Sequence, residues 1–169
     1  MLSGYFGAGQ ADAILASYAA AYPALDATAL RVAIMSDERY MARTEMLADA
    51  QAAHGPVWRS WYDGPYLGLD DDPAFAKFAP VLVGAHGGDG TGIWLGGSGL
   101  AGPLHEAWGA FATAGDSGWP GYAAASGHTA MIFEPDEPRL AADPFAHVRA
   151  TWLDLRWQPG TWWPGDGLA

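Results

Sequence analysis

His86 is the residue whose surroundings best suit proton chemistry. Gly84, Gly87 and Gly88 flank it, and Asp89 follows three residues on. A His on a glycine-rich loop can be presented to a cleft, and its ordinary titration range lies near neutral pH. The plainer reading is a loop histidine with no special task.

Other reactive-looking segments are decoys. Gly115-Asp116-Ser117-Gly118 copies the nucleophile segment of chymotrypsin-like proteases, and Ala52-Ala53-His54 faintly echoes their histidine segment. That chemistry needs a different setting, because His54 ends a predicted helix and the pattern is not all-β. His105-Glu106 opens like a zinc-protease H-E-x-x-H, but Gly109 stands where the second His belongs. Ser98, in Gly96-Gly97-Ser98-Gly99-Leu100, approaches a G-x-S-x-G elbow but has Leu at its last position and no preceding strand. A flexible turn explains it.

The elements that must hold these residues follow from periodicity. Residues 11–22 are Ala-rich, with Ile14, Leu15, Tyr18 and Tyr22 at helical spacing, and Pro23 stops the helix. Ser36 reads as an N-cap for a helix to about His54, with Asp37 and Glu38 in its first turn and Gly55 closing it. Tyr40, Leu47, Ala50 and Ala53 would form its apolar face. Pro56–Tyr62 reads as a strand, 63–80 as a long acidic loop, and 103–114 as a helix with Leu104, Trp108 and Phe111 on one face. His128–Glu134 reads as a second strand. Asp143-Pro144 predicts a helix opening that runs to about Trp157, before an irregular tail at 158–169. The order is mixed α/β with two clear strands, fewer than an independent sheet normally needs. We read residues 1–169 as one unit.

Composition narrows the functions. Acids outnumber bases 19 to 8, a formal charge of −11. The one Lys, Lys77, and the scattered Arg residues argue against nucleic-acid and anionic-membrane partners, which need clustered positive charge. The lack of Cys removes disulfides, thiolate metal sites and cysteine nucleophiles. No apolar run reaches the roughly 18–20 residues that span a bilayer. No secretory signal is visible at residues 1–15, so a soluble, cytoplasmic location is mildly favoured. No metal or cofactor is expected.

Several segments, taken in order, resemble the C-terminal third of the type-B carboxylesterase family, which includes para-nitrobenzyl esterases and cholinesterases. Pro56-Val57-Trp58-Arg59-Ser60-Trp61-Tyr62 is similar to the family strand P-V-Y-x-Y-x-F. His86-Gly87-Gly88-Asp89, then Ile93-Trp94-Leu95-Gly96, resembles its catalytic-histidine segment. Trp94 and Leu95 replace the usual Val-Phe there. Trp108-Gly109-Ala110-Phe111-Ala112 with Gly115-Asp116, followed by Trp119-Pro120-Gly121-Tyr122, resembles W-x-x-F-A-x-x-G-D and W-P-x-Y. Met131-Ile132-Phe133 matches a family strand in which His128 stands where Arg is common. Asp143-Pro144 with Arg149 and Trp152 matches the closing helix, and Tyr5-Phe6-Gly7 the opening segment. The resemblance covers roughly residues 5–157.

The resemblance implies the C-terminal portion of an α/β-hydrolase fold, an incomplete sheet with packed helices. It implies that His86 is the catalytic base of a Ser–Glu/Asp–His triad, that Asp89 supports the loop or caps the following helix, and that Trp94 lines a substrate pocket. Trp58, Trp61 and Trp108 would pack the core. The family's nucleophile and triad acid lie upstream of everything matched here. The expected function is therefore that of a carboxylic-ester hydrolase fragment, inactive alone. Its partners would be the missing N-terminal part and, once complemented, a small ester. The alternatives are a non-catalytic remnant or partner-binding module, and an independent hydrolase using Ser98 or Ser117.

Overall fold

The computed structural model describes residues 2–69, 73–79, 82–153 and 155. The expected tail at 158–169, the closing helix beyond residue 155 and the acidic triplet Asp70–Asp72 lie outside the described residues. The elements in chain order are α1 (Leu2–Phe6), α2 (Ala8–Ala21), α3 (Ala27–Ser36), a π-helical turn (Asp37–Met41) and α4 (Ala42–Ala52). Then follow β1 (Ser60–Tyr62), α5 (Pro73–Ala76), α6 (Gly90–Leu95), α7 (Ala101–Ala114), a 3₁₀ turn (Ala124–Ser126), β2 (Ala130–Phe133), β3 (Arg139–Ala141) and α8 (Ala146–Trp152). The result is a mixed helix and strand fold. It packs as two compact units, an end unit (Met1–Ala50 with Phe145–Ala169) and a central unit (Gln51–Pro144).

In the end unit, Ala11, Ile14 and Tyr18 of α2 recur at three- and four-residue steps and are buried, so the predicted stripe forms at Ile14 and Tyr18, while Leu15 is exposed and Tyr22 lies just beyond the helix. The next helix is capped ten residues before the expected Ser36 cap. Asp26 is the cap: its carboxylate accepts from the N–H groups of Thr28 and Ala29, both at 2.8 Å. Those two bonds hold the Asp26 carboxyl below its ordinary range. Ser36 has helical backbone angles and lies inside a continuous run.

The expected apolar face of this run is also displaced. Met41, Ala42, Glu45 and Ala48 are buried, whereas Leu47 is 70% exposed. The buried positions Leu30, Ile34, Glu38, Met41, Glu45 and Ala48 recur at three- and four-residue steps straight through the π turn, and two of them are glutamates. Hydrophobic periodicity also cannot anticipate that Glu45 faces inward.

Glu45 is buried because Arg149 of α8 neutralises it: Nη1 donates to Oε2 at 2.7 Å. Around that pair α8 is tied down by polar contacts. Tyr18 donates to the Asp37 carboxylate at 2.7 Å and accepts from the Trp152 indole N–H at 2.8 Å. Tyr22 and His147 share a 2.7 Å hydrogen bond, as do Ser17 and Thr151 at 2.6 Å. Phe6 meets Trp152 edge to face at 5.5 Å. Helix α8 begins at Ala146, not at the Asp143-Pro144 opening expected from sequence. Asp143 has φ 48, a left-handed conformation outside the cap geometry.

The central unit holds a three-stranded sheet in the order β1-β2-β3. β1 and β2 are parallel, with Ser60 opposite Met131 and Tyr62 opposite Phe133. β2 and β3 are antiparallel. Only the last three residues of the expected 56–62 strand join the sheet, because the Val57 carbonyl is taken by the Tyr122 N–H at 2.7 Å. β3 escapes a sequence reading because its Arg-Leu-Ala has no buried alternation. Leu67, Leu100, Ala101, Leu104 and Phe133 form the core of this unit.

Two predictions follow from the end unit. Breaking a buried ion pair from one side leaves a charge unpaired. Glu45→Ala or Arg149→Ala should therefore cost about 3–5 kcal/mol, while Glu45→Leu with Arg149→Met should return to within about 1 kcal/mol of the native chain; urea unfolding checks this. The second concerns alkali. Burial, reinforced by the Asp37 charge, raises both Tyr18 and Tyr22 above the ordinary phenol value of 10.0. Folding thus favours the protonated phenols. Their contribution is complete below that ordinary value and is lost as pH rises toward the raised ones. Thermal melting should fall from about pH 10 upward, and less steeply in Tyr18→Phe.

Candidate functional site

The candidate site is built on the segment leaving β1. The Asp63 N–H is bonded to the Phe133 carbonyl at 2.8 Å, the last rung of the parallel pair. The chain then turns, with the Tyr62 hydroxyl donating to the Pro65 carbonyl. Onto this turn the glycine loop is fastened twice. Gly84 N–H donates to the Gly64 carbonyl at 2.9 Å, and Leu67 N–H donates to the Gly88 carbonyl at 2.8 Å. His86 is carried between those two bonds. The loop therefore lies just outside the carboxyl end of β1, where ligands bind in open α/β sheets.

Glycine is favoured here for two separate reasons. Gly87 has φ 78, which an L side chain seldom adopts. Gly88 is buried, and a Cβ there would sit 3.0 Å from the Ala85 carbonyl oxygen. That carbonyl accepts from the Gly88 N–H at 2.9 Å, closing the turn around His86. The imidazole itself is exposed.

Asp89 stands at the cap position of α6, as expected, but its side chain bonds none of the first-turn N–H groups. Its main-chain carbonyl accepts from Ile93 N–H at 3.0 Å. Support of the loop thus passes through backbone, not through the carboxylate. Trp94, expected in a pocket wall, is 76% exposed on α6, and Leu95 beside it is 79% exposed. Gly92 faces inward in their place and is packed so closely that a Cβ would meet Leu67 at 2.5 Å. Gly92 and the partly buried Ile93, not Trp94 and Leu95, seat α6 on the core.

The decoys resolve into structural roles. The His105 Nδ1–H donates to the Ile93 carbonyl at 2.9 Å and ties α7 to α6. Ser98 lies in a turn between two helices, not between strand and helix, so its backbone is not that of a nucleophile elbow. Gly115 ends α7 with a left-handed φ of 70, and Asp116 accepts from Gly118 N–H at 2.8 Å. Gly115-Asp116-Ser117-Gly118 is a helix-ending turn. Among the described residues, no group of three or more His, Asp or Glu side chains is gathered for a metal.

The aromatic residues depart from expectation. Leu104 of α7 is buried, but Trp108 and Phe111 on the same face are 43% and 45% exposed. They stand over a cleft of about 360 Å³ that Trp58 and Trp119 also line. The sequence reading assigns Trp58 and Trp108 to the core, so the cleft that they line is not anticipated by it. Substituting Gly88→Ala should distort the His86 turn while leaving the sheet intact. Amide resonances of residues 84–90 should shift well beyond those of β2, and equal shifts throughout would show that the turn does not depend on that glycine. No protein-family model matches the chain, and no curated protein matches it.

Proposed function

We propose that the chain is the histidine-bearing, C-terminal part of a type-B-carboxylesterase-like α/β-hydrolase, with His86 as its catalytic base. The observation that carries this reading is the position of His86, on a glycine turn fastened beyond the carboxyl end of a parallel strand pair. The order of elements adds support. The segment similar to P-V-Y-x-Y-x-F leads into β1, and the Trp108–Gly115 segment is α7 with its ending turn. Met131-Ile132-Phe133 is in β2, and Arg149 with Trp152 is in α8.

In this reading, His86 takes the proton from a serine hydroxyl as the serine oxygen attacks an ester carbonyl. The same proton passes to the departing alcohol, leaving an acyl-serine that water hydrolyses by the same route. The 169 residues contain no G-x-S-x-G segment. The nucleophile and triad acid would come from a part of the fold not contained in them. A lone imidazole lacks the covalent step, so the chain by itself would be at most a weak base catalyst.

A second reading, a non-catalytic partner-binding module, is favoured by the exposed Trp94-Leu95 pair and by β1 lying at a sheet edge. One experiment separates the two. The reading frame upstream of the Met1 codon should encode a G-x-S-x-G segment and an acidic triad residue. The joined product should then label with a fluorophosphonate, and His86→Ala should lower kcat by about 10³-fold or more. An upstream stop codon without such a segment nearby would sink the hydrolase reading, as would full activity in His86→Ala.

A further inference from the structure

The aromatic cleft of the central unit lies at the amino end of β1, away from His86. Its walls include Trp58, Trp108, Phe111 and Trp119, and none of its lining residues carries an ionisable group. In a chain with 27 charged side chains, from 8 basic and 19 acidic residues, an uncharged lining is informative.

The walls are held in place. The Trp58 indole N–H donates to the Trp119 carbonyl at 3.0 Å, and the Trp58 ring meets Phe111 edge to face at 5.7 Å and 64°. The cleft also contains unspent neutral hydrogen-bonding groups. The side chains of Ser60, Ser117 and Gln51 line it and bond to no described residue. Apolar walls with a few convergent polar groups are the make-up of small-molecule sites, and about 360 Å³ lies at the small end of their range.

We infer that this cleft binds a small, neutral, planar aromatic molecule that bears a hydroxyl or carbonyl group. The ring would stack against Trp108 and Trp58, and the polar substituent would bond Ser60, Ser117 or Gln51. An anion finds no Lys or Arg in the lining. An ammonium group would need several ring faces turned toward it, whereas Trp58 and Phe111 cover each other edge to face. The site is independent of the proposed role of His86.

The test uses the full chain with 1-naphthol as probe, followed by calorimetry and by the indole N–H resonances of Trp58, Trp108 and Trp119. Saturable binding is expected with a Kd at or below about 1 mM and with shifts confined to those indoles. The charged analogue 1-naphthoate should bind at least tenfold more weakly. Trp108→Ala, an exposed position on a helix, should fold normally and weaken 1-naphthol at least tenfold, and Ser117→Ala should weaken it severalfold. Absence of saturation, equal binding of 1-naphthoate, tighter binding of tetramethylammonium, or an unaffected Trp108→Ala would each overturn the assignment. So would dimerisation in sedimentation that Trp108→Ala abolishes, because the cleft would then be filled by a second copy.

Discussion

Parallel pairing of β1 with β2 is the constraint on which the central unit depends. A parallel pair cannot be closed by a hairpin. The chain leaving Tyr62 must travel back along the sheet before entering Ala130, and residues 63–129 are that journey. Its outward leg supplies the glycine loop at the carboxyl end of β1, and its return leg is α7. Both surfaces with chemical promise are products of this one crossover. The His86 turn forms where the chain departs, and the aromatic cleft forms where α7 comes back beside Trp58. Neither needs a long strand, since three residue pairs fix the direction and the crossover does the rest.

The end unit is organised by a different interaction. Segments from the two ends of the chain are joined through the buried Glu45–Arg149 pair and the Asp37–Tyr18–Trp152 chain of hydrogen bonds. Burying a carboxylate is costly unless a cation and hydrogen bonds accompany it. The two members are 104 residues apart in sequence, so the pair forms only when α8 is docked in register. Asp37, which opens the π turn, bonds Tyr18, and Glu45, not Leu47, faces the inside.

This explains what the sequence could and could not disclose. The helices with a clean apolar stripe, α2 and the first turns of α7, were legible because Ile14, Tyr18 and Leu104 report burial directly. β2 was legible because Met-Ile-Phe is short, apolar and bounded by turns. The helix run over 27–52 was misjudged in start and in phase. Asp26 and Ser36 are equally good caps by residue type, and only the first has its N–H partners in place. A π turn leaves no local signature, and an inward Glu reads as a solvent residue until its Arg is known. In the candidate site, His86 and its glycines were legible from type and spacing. The support was not, because it passes through main-chain bonds of Gly64, Gly84, Leu67 and Gly88, which are silent in side-chain patterns. For the same reason the Asp89 carboxylate was expected to do work that its carbonyl does.

The exposure of large apolar residues in the central unit has two different physical meanings. Trp94 and Leu95 occupy a six-residue helix whose inner face is Gly92 with Ile93, so their exposure follows from how closely that helix approaches Leu67. A smaller side chain at 94 or 95 would not change that approach, and the pair is open to contact with another surface. Trp108 and Phe111 are different. They share a face with Leu104, and the core accepts Leu104 but ends before reaching them. Instead they line a cleft with Trp58 and Trp119; the Trp58 ring is held by its hydrogen bond to the Trp119 carbonyl and its edge-to-face contact with Phe111, and the Trp119 ring packs edge to face on Phe133. Exposure at 94–95 is thus a consequence of tight packing underneath. Exposure at 108–111 is a gap between well-held walls, and a gap of that kind is the form a binding site takes.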